Sequence, residues 1–249
     1  KEMAVRMPVR DLFKLKEILK TNIVDGSDAI WEMRMIKTNA EVERIKHICS
    51  IASDAYYDLP SKLNIGDTER EAVNKLKIDI INRGADNVPF MPGISGKGGV
   101  SQIVCGPSDK VIENGDILFI DTGSTFDGYF CDFDRNFGFG KISKESKDAH
   151  KVLWEATEEG LNKAKPGSTC AEINEAMINV LKKSGLKSNS VGRMGHGLGL
   201  QVTEPPSIFP DDKTVLKENM IITIEPCFEY SPDKMLVHEE NILITSNGY

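Results

Sequence analysis

Acidic residues at the ends of apolar, β-branched runs constrain the fold of this chain more than any other feature. Asp121 ends one such run, Glu225 directly follows another, and Glu239 lies between two more. Short apolar runs of this kind predict buried strands. Carboxylates gathered in a core repel one another by roughly several kcal/mol unless protons or cations accompany them. The sequence therefore predicts strands that bring carboxylates to one cation-binding site.

A predicted hairpin adds a second aspartate to this set. The segments 117–121 and 129–137 are strand-like, and the residues between them are typical of a turn. Asp121 and Asp132 can point inward from the two arms. Asp134 shares a face with Asp132 on a regular strand, so alternation leaves the choice between them open.

One histidine is a further candidate ligand. His196 has a glycine on each side, which lets the backbone and the ring approach a site closely. Glu239 and Glu240 point to opposite faces of a strand, and alternation alone does not choose between them. One imidazole among oxygen ligands suits Mn²⁺, Co²⁺, Zn²⁺ or Fe²⁺.

The order of elements indicates an internal duplication. The segment 65–71 resembles the segment 166–172, and each contains a threonine followed three residues later by a glutamate. This pattern predicts a capping box that opens a helix. A helical stretch precedes each segment, at 40–57 and 145–164, and strand-like runs with two carboxylates follow each one. The sequence thus predicts two helix–helix–sheet units.

Two regions are interpreted separately from this pattern. Residues 1–38 precede the duplication and are interpreted as a linker or the tail of a missing N-terminal domain, so that 39–249 form the main domain. Within them, 11–20 is predicted as a helix and 30–36, which alternates, as a strand. The glycine- and proline-rich segment 87–99 is predicted as a loop.

The composition limits the partners. The 249 residues are 40% hydrophobic and 28% charged with a net charge of −7, which gives no electrostatic reason to expect a nucleic acid or an anionic membrane. No apolar stretch approaches the roughly 20 residues that span a bilayer, and no signal peptide is visible. The five cysteines are scattered without a CxxC arrangement, which favours a cytoplasmic location.

The motifs around these residues resemble one known family. Asp121-Thr-Gly followed by Asp132, Gly-His196-Gly, Ile-Glu225-Pro, and Glu239 before an apolar run are similar to the pita-bread metallopeptidases. That family includes proline dipeptidase, aminopeptidase P, methionine aminopeptidase and creatinase. The resemblance covers roughly residues 40–249. It implies an α+β pita-bread fold, in which pseudo-two-fold helix–helix–sheet units surround a curved, mostly antiparallel sheet, and it implies a homodimer.

The resemblance also implies a chemistry. Two divalent metal ions would share five side chains: Asp121 on one ion, Asp132 and Glu239 bridging, and His196 and Glu225 on the other. It selects Asp132 over Asp134 and Glu239 over Glu240. A water held by the two ions would attack the scissile carbonyl. Glu225 would act as the general base.

Two positions depart from the family pattern. Peptidases of this branch carry histidines where this chain has Val104 and Thr203. Thr203 and His238 are therefore candidate catalytic residues that compensate for the loss. Three interpretations stay open: an Xaa-Pro dipeptidase or aminopeptidase acting on a small peptide, a creatinase-like or dimethylsulfoniopropionate-lyase-like enzyme acting on another small molecule, and a non-catalytic binding module.

Overall fold

The computed structural model describes residues 7–185 and 192–249. These residues divide into a short unit that ends at Met33 and a large unit, Arg34–Tyr249. The short unit contains helix α1 (Val9–Leu19) and most of α2 (Ser27–Met35). The interpretation of residues 1–38 as a linker or tail stays a prediction, and its first six residues lie outside the described ones. No helix in the described ranges is long and apolar enough to cross a membrane.

The large unit consists of two halves with the same order of elements, two long helices followed by strands. In the first half these elements are α3 (Asn39–Asp58), α4 (Glu69–Asn82), β1 (Asn87–Phe90), β2 (Gly93–Lys97), β3 (Asp116–Phe126) and β4 (Tyr129–Gly138). In the second half they are α5 (Lys144–Lys163), α6 (Cys170–Lys183), β5 (His196–Gly197), β6 (Glu204–Ser207), β7 (Ile221–Ile224), β8 (Cys227–Ser231), β9 (Lys234–Val237) and β10 (Glu240–Leu243).

The strands pair in an antiparallel manner. In the first half β3 lies between β1 and β2 and also pairs with β4, and in the second half the order is β10-β7-β5-β6. Strands β8 and β9 form a separate hairpin. The predicted hairpin is confirmed, and it is longer than the sequence indicated, because only Asp127 and Gly128 separate β3 from β4.

Matching hydrogen bonds support the duplication. Helices α4 and α6 both open with a complete capping box, Thr68 with Glu71 and Thr169 with Glu172. In both halves the capping threonine forms an isolated bridge with a residue just ahead of the central strand, to Val111 in one half and Val215 in the other. The two units therefore share local geometry as well as sequence order.

Two sequence-based assignments are wrong. Residues 30–35 belong to helix α2 and not to a strand, and Ile36 forms an isolated β-bridge with Met220. At the helix start the side chain of Asp25 accepts a hydrogen bond from the Ser27 N–H, a local interaction that favours the helix. The segment 87–99 contains β1 and β2 rather than a loop. Its glycines reflect close packing, since a Cβ at Gly93 would come within 2.5 Å of Val73 in α4.

Alternation along the central strands separates a helix-facing side from an opposite side. Leu118 and Ile120 of β3 pack in the core with α3 and α4, and Ile222 and Ile224 of β7 pack in the core with α5 and α6. Because successive side chains point to opposite faces, the acidic residue that ends each run points away from the helices. The fold thus gives the carboxylates one common face.

Candidate metal centre

Asp132, His196 and Glu239 form the first group of candidate ligands. One ligand atom from each lies within 4.8 Å of the other two. The His196 Nε2 atom is 3.4 Å from Asp132 Oδ2 and 3.7 Å from Glu239 Oε1. All three side chains are buried, at 5% exposure or less. Glu225 completes this end of the site, with its Oε2 3.9 Å from the same imidazole nitrogen.

Asp121, Asp134 and Glu239 form a second group with the same spacing of ligand atoms. Glu239 belongs to both groups, so it lies between two possible ion positions. The structure therefore brings together all five predicted ligands, and it adds Asp134, which the resemblance did not select. The assignment of individual residues to ions stays a prediction.

The geometry around His196 prepares one ring nitrogen for a ligand. Its Nδ1 lies 2.9 Å from the Gly197 carbonyl oxygen, which fixes the proton on Nδ1 and leaves Nε2 as an acceptor facing the carboxylates. The flanking glycines are required for this approach. A Cβ at Gly195 would collide with the Thr223 carbonyl, and a Cβ at Gly197 would collide with the Pro205 carbonyl.

Two polar residues that the sequence did not single out hold these ligands in place. Asn241 clamps the backbone of Asp132: its amide oxygen accepts a 2.9 Å bond from the Asp132 N–H, and its amide nitrogen donates to the Asp132 carbonyl. The Thr223 hydroxyl accepts a 3.1 Å bond from the His196 N–H. These contacts join β4 to β10 and β5 to β7.

Arg135 fixes the backbone on the other side of the site. Its Nη1 donates to the carbonyls of Asp134 at 2.9 Å and Glu239 at 2.7 Å, and its Nη2 donates to Glu240 at 2.8 Å. Glu240 thereby pairs with the arginine, whereas Glu239 is buried in the site. No local sequence signal distinguishes the two acids, because the pairing of Arg135 with Glu240 joins residues 105 positions apart.

The electrostatics of the site disfavour its charged state. Burial, reinforced by neighbouring carboxylates, raises the pKa of Asp121, Asp132, Asp134 and Glu239 well above the ordinary range. Burial also raises the pKa of Glu225 to about 7. The pKa of His196 falls to about 3, first because of burial and then because of the positive charge of Arg193. Such a cluster requires cations or protons to be stable.

Four buried oxygen atoms fit a divalent metal ion. Among the described residues, Asp121 Oδ1, Asp132 Oδ1, Asp134 Oδ1 and Glu239 Oε1 have no hydrogen-bond partner. Buried polar atoms are nearly always paired, so oxygens without partners at one place call for a missing ligand. Carboxylate oxygens with one imidazole are donors that Mn²⁺, Co²⁺, Zn²⁺ and Fe²⁺ accept.

The remaining candidate residues lie around this centre. Thr203 accepts a 3.1 Å hydrogen bond from Arg193, whose charge acts on His196 and Glu225. His238 is buried, its Nε2 lies 3.0 Å from Glu240 and its ring packs against Trp154. His238 therefore bonds to the Glu240–Arg135 pair rather than to one of the grouped ligands. The catalytic roles of Thr203 and His238 stay predictions.

Val104 offers no polar group in place of the missing histidine. Its side chain is 78% exposed on the segment between β2 and β3. The two departures from the family pattern thus differ, because Thr203 still presents a hydroxyl next to a cation whereas Val104 presents only methyl groups.

The fold and the grouped ligands define a candidate metal-dependent hydrolase domain, and comparisons with known proteins identify the family. Residues 43–246 match metallopeptidase family M24. The Xaa-Pro dipeptidase of Pyrococcus furiosus is 35% identical over 223 residues, which are 89% of this chain and 64% of that protein. The Xaa-Pro dipeptidase of Pyrococcus horikoshii is 33% identical over 241 residues, 96% and 68% of the two chains. The chain thus spans about two thirds of the length of these relatives.

Solved structures agree with this result. The crystal structure of the prolidase from Pyrococcus horikoshii matches with a TM-score of 0.92 at 32% identity, covering 98% of this chain and 70% of the other. An X-Pro aminopeptidase from Thermotoga maritima matches with a TM-score of 0.89 at 28% identity, covering 98% and 69%. The chain therefore belongs to metallopeptidase family M24, and the predicted family and pita-bread fold are confirmed. Membership also favours the metallopeptidase interpretation over the two alternatives.

Proposed function

We propose that this chain is the catalytic part of a metal-dependent Xaa-Pro peptidase that hydrolyses small peptides. One observation carries the proposal: two groups of buried ligand atoms share Glu239, and their unpaired oxygens need divalent ions. We assign Asp121, Asp132, His196, Glu225 and Glu239 as the ligands of two ions, with Mn²⁺ or Co²⁺ as the first candidates. When bound, these ions would polarise the peptide carbonyl and lower the pKa of water.

Glu225 is the residue best placed to move a proton. Its side chain is 21% exposed, compared with 7% for Asp132 and 2% for Glu239, so a substrate can reach it. A carboxylate at the open side of the site is suited to accept a proton from water and return it to the leaving nitrogen. Peptide hydrolysis breaks the C–N bond as the water oxygen bonds to the carbonyl carbon, and Glu225 carries a proton from that water to the leaving nitrogen.

The substrate proposal comes from the relatives and from one contact. Several relatives are named Xaa-Pro dipeptidase. The Thr203 hydroxyl accepts a hydrogen bond from Arg193, whose charge acts on His196, and we assign it to donate a hydrogen bond to the peptide carbonyl. Val104 favours the second candidate, a hydrolase or lyase for another small molecule, because an exposed valine cannot hold the polar groups of a peptide.

A substrate panel separates these two candidates. Protein loaded with Mn²⁺ or Co²⁺ should release proline from Xaa-Pro dipeptides, should leave Pro-Xaa dipeptides of the same composition intact, and should lose the activity after treatment with a chelator. Protein that contains its metals but cleaves no dipeptide, while it converts a small amide, would overturn the peptidase proposal.

We also propose a cytoplasmic location and a homodimer. All five cysteines are free thiols, as expected for a reducing compartment. The proposal of a homodimer is based on the family resemblance alone. Light scattering coupled to size-exclusion chromatography measures the mass, and a single-chain mass would contradict it.

A further inference from the structure

Asp134 is a buried carboxylate that the five-ligand assignment does not use. Its side chain is 1% exposed, and one of its oxygens lies within 4.8 Å of ligand atoms of Asp121 and Glu239. The position is therefore inside the candidate metal centre and not beside it.

The register of the two sheets places Asp134 at a ligand position. In the first half Asp134 pairs directly with Asp121 across β3 and β4. In the second half Ile224 pairs with Glu240, and Glu225 and Glu239 follow immediately beyond that pair. Asp134 thus stands opposite Asp121 as Glu239 stands opposite Glu225, so the duplication gives both halves an equivalent pair of acids.

Within residues 7–185 and 192–249, no cationic side chain forms an ion pair with this carboxylate. In the described part of the chain, Asp134 Oδ1 is buried and has no hydrogen-bond partner. The adjacent Arg135 donates to the Asp134 carbonyl and to Glu240, not to the Asp134 side chain. The charged groups that act on Asp134 most strongly are Asp121 and Glu239, both negative. A buried acid surrounded by acids requires a bound cation or a proton.

We propose that Asp134 is an additional ligand of the metal ion that Asp121 binds. This inference rests on the proposed function, since it requires that the centre holds metal. The ion between Asp121, Asp134 and Glu239 then has only carboxylate oxygens from the protein, whereas the other ion has the His196 imidazole. Carboxylate oxygens favour harder ions such as Mn²⁺, and imidazole favours Zn²⁺ or Co²⁺. The two positions therefore differ in metal preference.

Metal titration of matched variants tests the role of Asp134. Metal-free wild-type protein, Asp134→Asn and Asp134→Thr are titrated with Mn²⁺ by calorimetry, and the Mn²⁺ electron paramagnetic resonance spectrum reports whether two ions are adjacent. The control is Asp116→Asn, which removes an equally buried carboxylate at the start of β3. Asp116 pairs with Lys110 at 2.8 Å and lies outside both ligand groups.

The wild type should bind two Mn²⁺ ions per chain with a spin-coupled spectrum. Asp134→Asn should weaken one of the two sites by about tenfold or more, since even residues that only orient ligands alter metal affinity by about 10–100-fold. It should also give the spectrum of an isolated ion at equal loading. Asp116→Asn should bind both ions as the wild type does. If Asp134→Asn does not fold, Asp134→Thr supplies the same comparison.

Two results would overturn the proposal, and they have different meanings. Two-site binding with wild-type affinity in Asp134→Asn or Asp134→Thr would show that Asp134 only shares a proton with Asp121, and the proposed function would stand. Absence of metal binding by the wild type would refute the proposed function together with this inference.

Discussion

Removing the Asn241 clamp should weaken metal binding through the position of Asp132. Asn241→Ala deletes two hydrogen bonds to the Asp132 backbone across β4 and β10. Each net hydrogen bond contributes about 0.5–1.5 kcal/mol, so the free energy of unfolding should fall by about 1–3 kcal/mol. For a chain of this size the melting temperature changes by roughly 2–4 °C per kcal/mol, which predicts a decrease of roughly 2–12 °C.

The metal affinity separates a positioning role from a purely structural one. Without the clamp, Asp132 is no longer fixed toward His196, and loss of such orientation reduces metal affinity by about 10–100-fold. Calorimetric Mn²⁺ titration measures the affinity, and thermal unfolding in chelator measures the stability. Asn247→Ala, an exposed asparagine near the chain end, is the control and should change neither. A lower melting temperature with unchanged affinity would refute the positioning role.

Three further predictions concern the acids and the close backbone contacts. Metal-free protein should lose stability as the pH rises from about 4.5 to 7, because the raised folded-state pKa of Glu225 and its neighbours stabilises only their protonated forms. The lowered pKa of His196 makes stability rise over part of this pH range, but it is a single side chain, whereas several carboxyl groups have raised pKa values. Glu225→Gln should lower peptide turnover by about 10²–10⁴-fold. Gly195→Ala should destabilise the fold by about 1–3 kcal/mol, since its Cβ would collide with the Thr223 carbonyl.

Each of these predictions has a control. For pH, melting curves in chelator are compared with curves in Mn²⁺, and a metal-free protein that gains stability up to pH 7 would contradict the electrostatic account. Glu218→Gln, on the surface, should keep full turnover. Gly167→Ala is the control for Gly195→Ala, because Gly167 also has a positive φ but has open space around it. An equal loss of stability in both variants would show that backbone strain alone causes the loss, without a collision of the new Cβ.

The sequence was sufficient to predict those features that depend on residues close together in the chain. The hairpin and the capping boxes at Thr68 and Thr169 were predicted because their signals lie within a few residues. The family motifs, which are equally local, named five candidate ligands that the structure brings together. Segment 87–99 was misassigned because its glycines serve packing against a helix distant in sequence, which local turn statistics do not reveal.

The supporting residues could not be predicted because their partners are far apart in the chain. Asn241 and Asp132 are 109 residues apart, and Arg135 reaches the Glu239 carbonyl over 104 residues. The choice between Glu239 and Glu240 was also beyond simple alternation. Strand β9 ends at Val237 and β10 begins at Glu240, so Glu239 lies in the break between two strands where a period of two does not apply.

The most direct test of the account is the number of metal ions in the protein and their position. Elemental analysis of protein loaded with Mn²⁺ and then freed of excess metal should give two ions per chain. Anomalous X-ray scattering at the manganese edge should place one ion near His196 and one near Asp121, on either side of Glu239. A chain that retains no divalent ion, or that binds ions only away from these residues, would contradict the account.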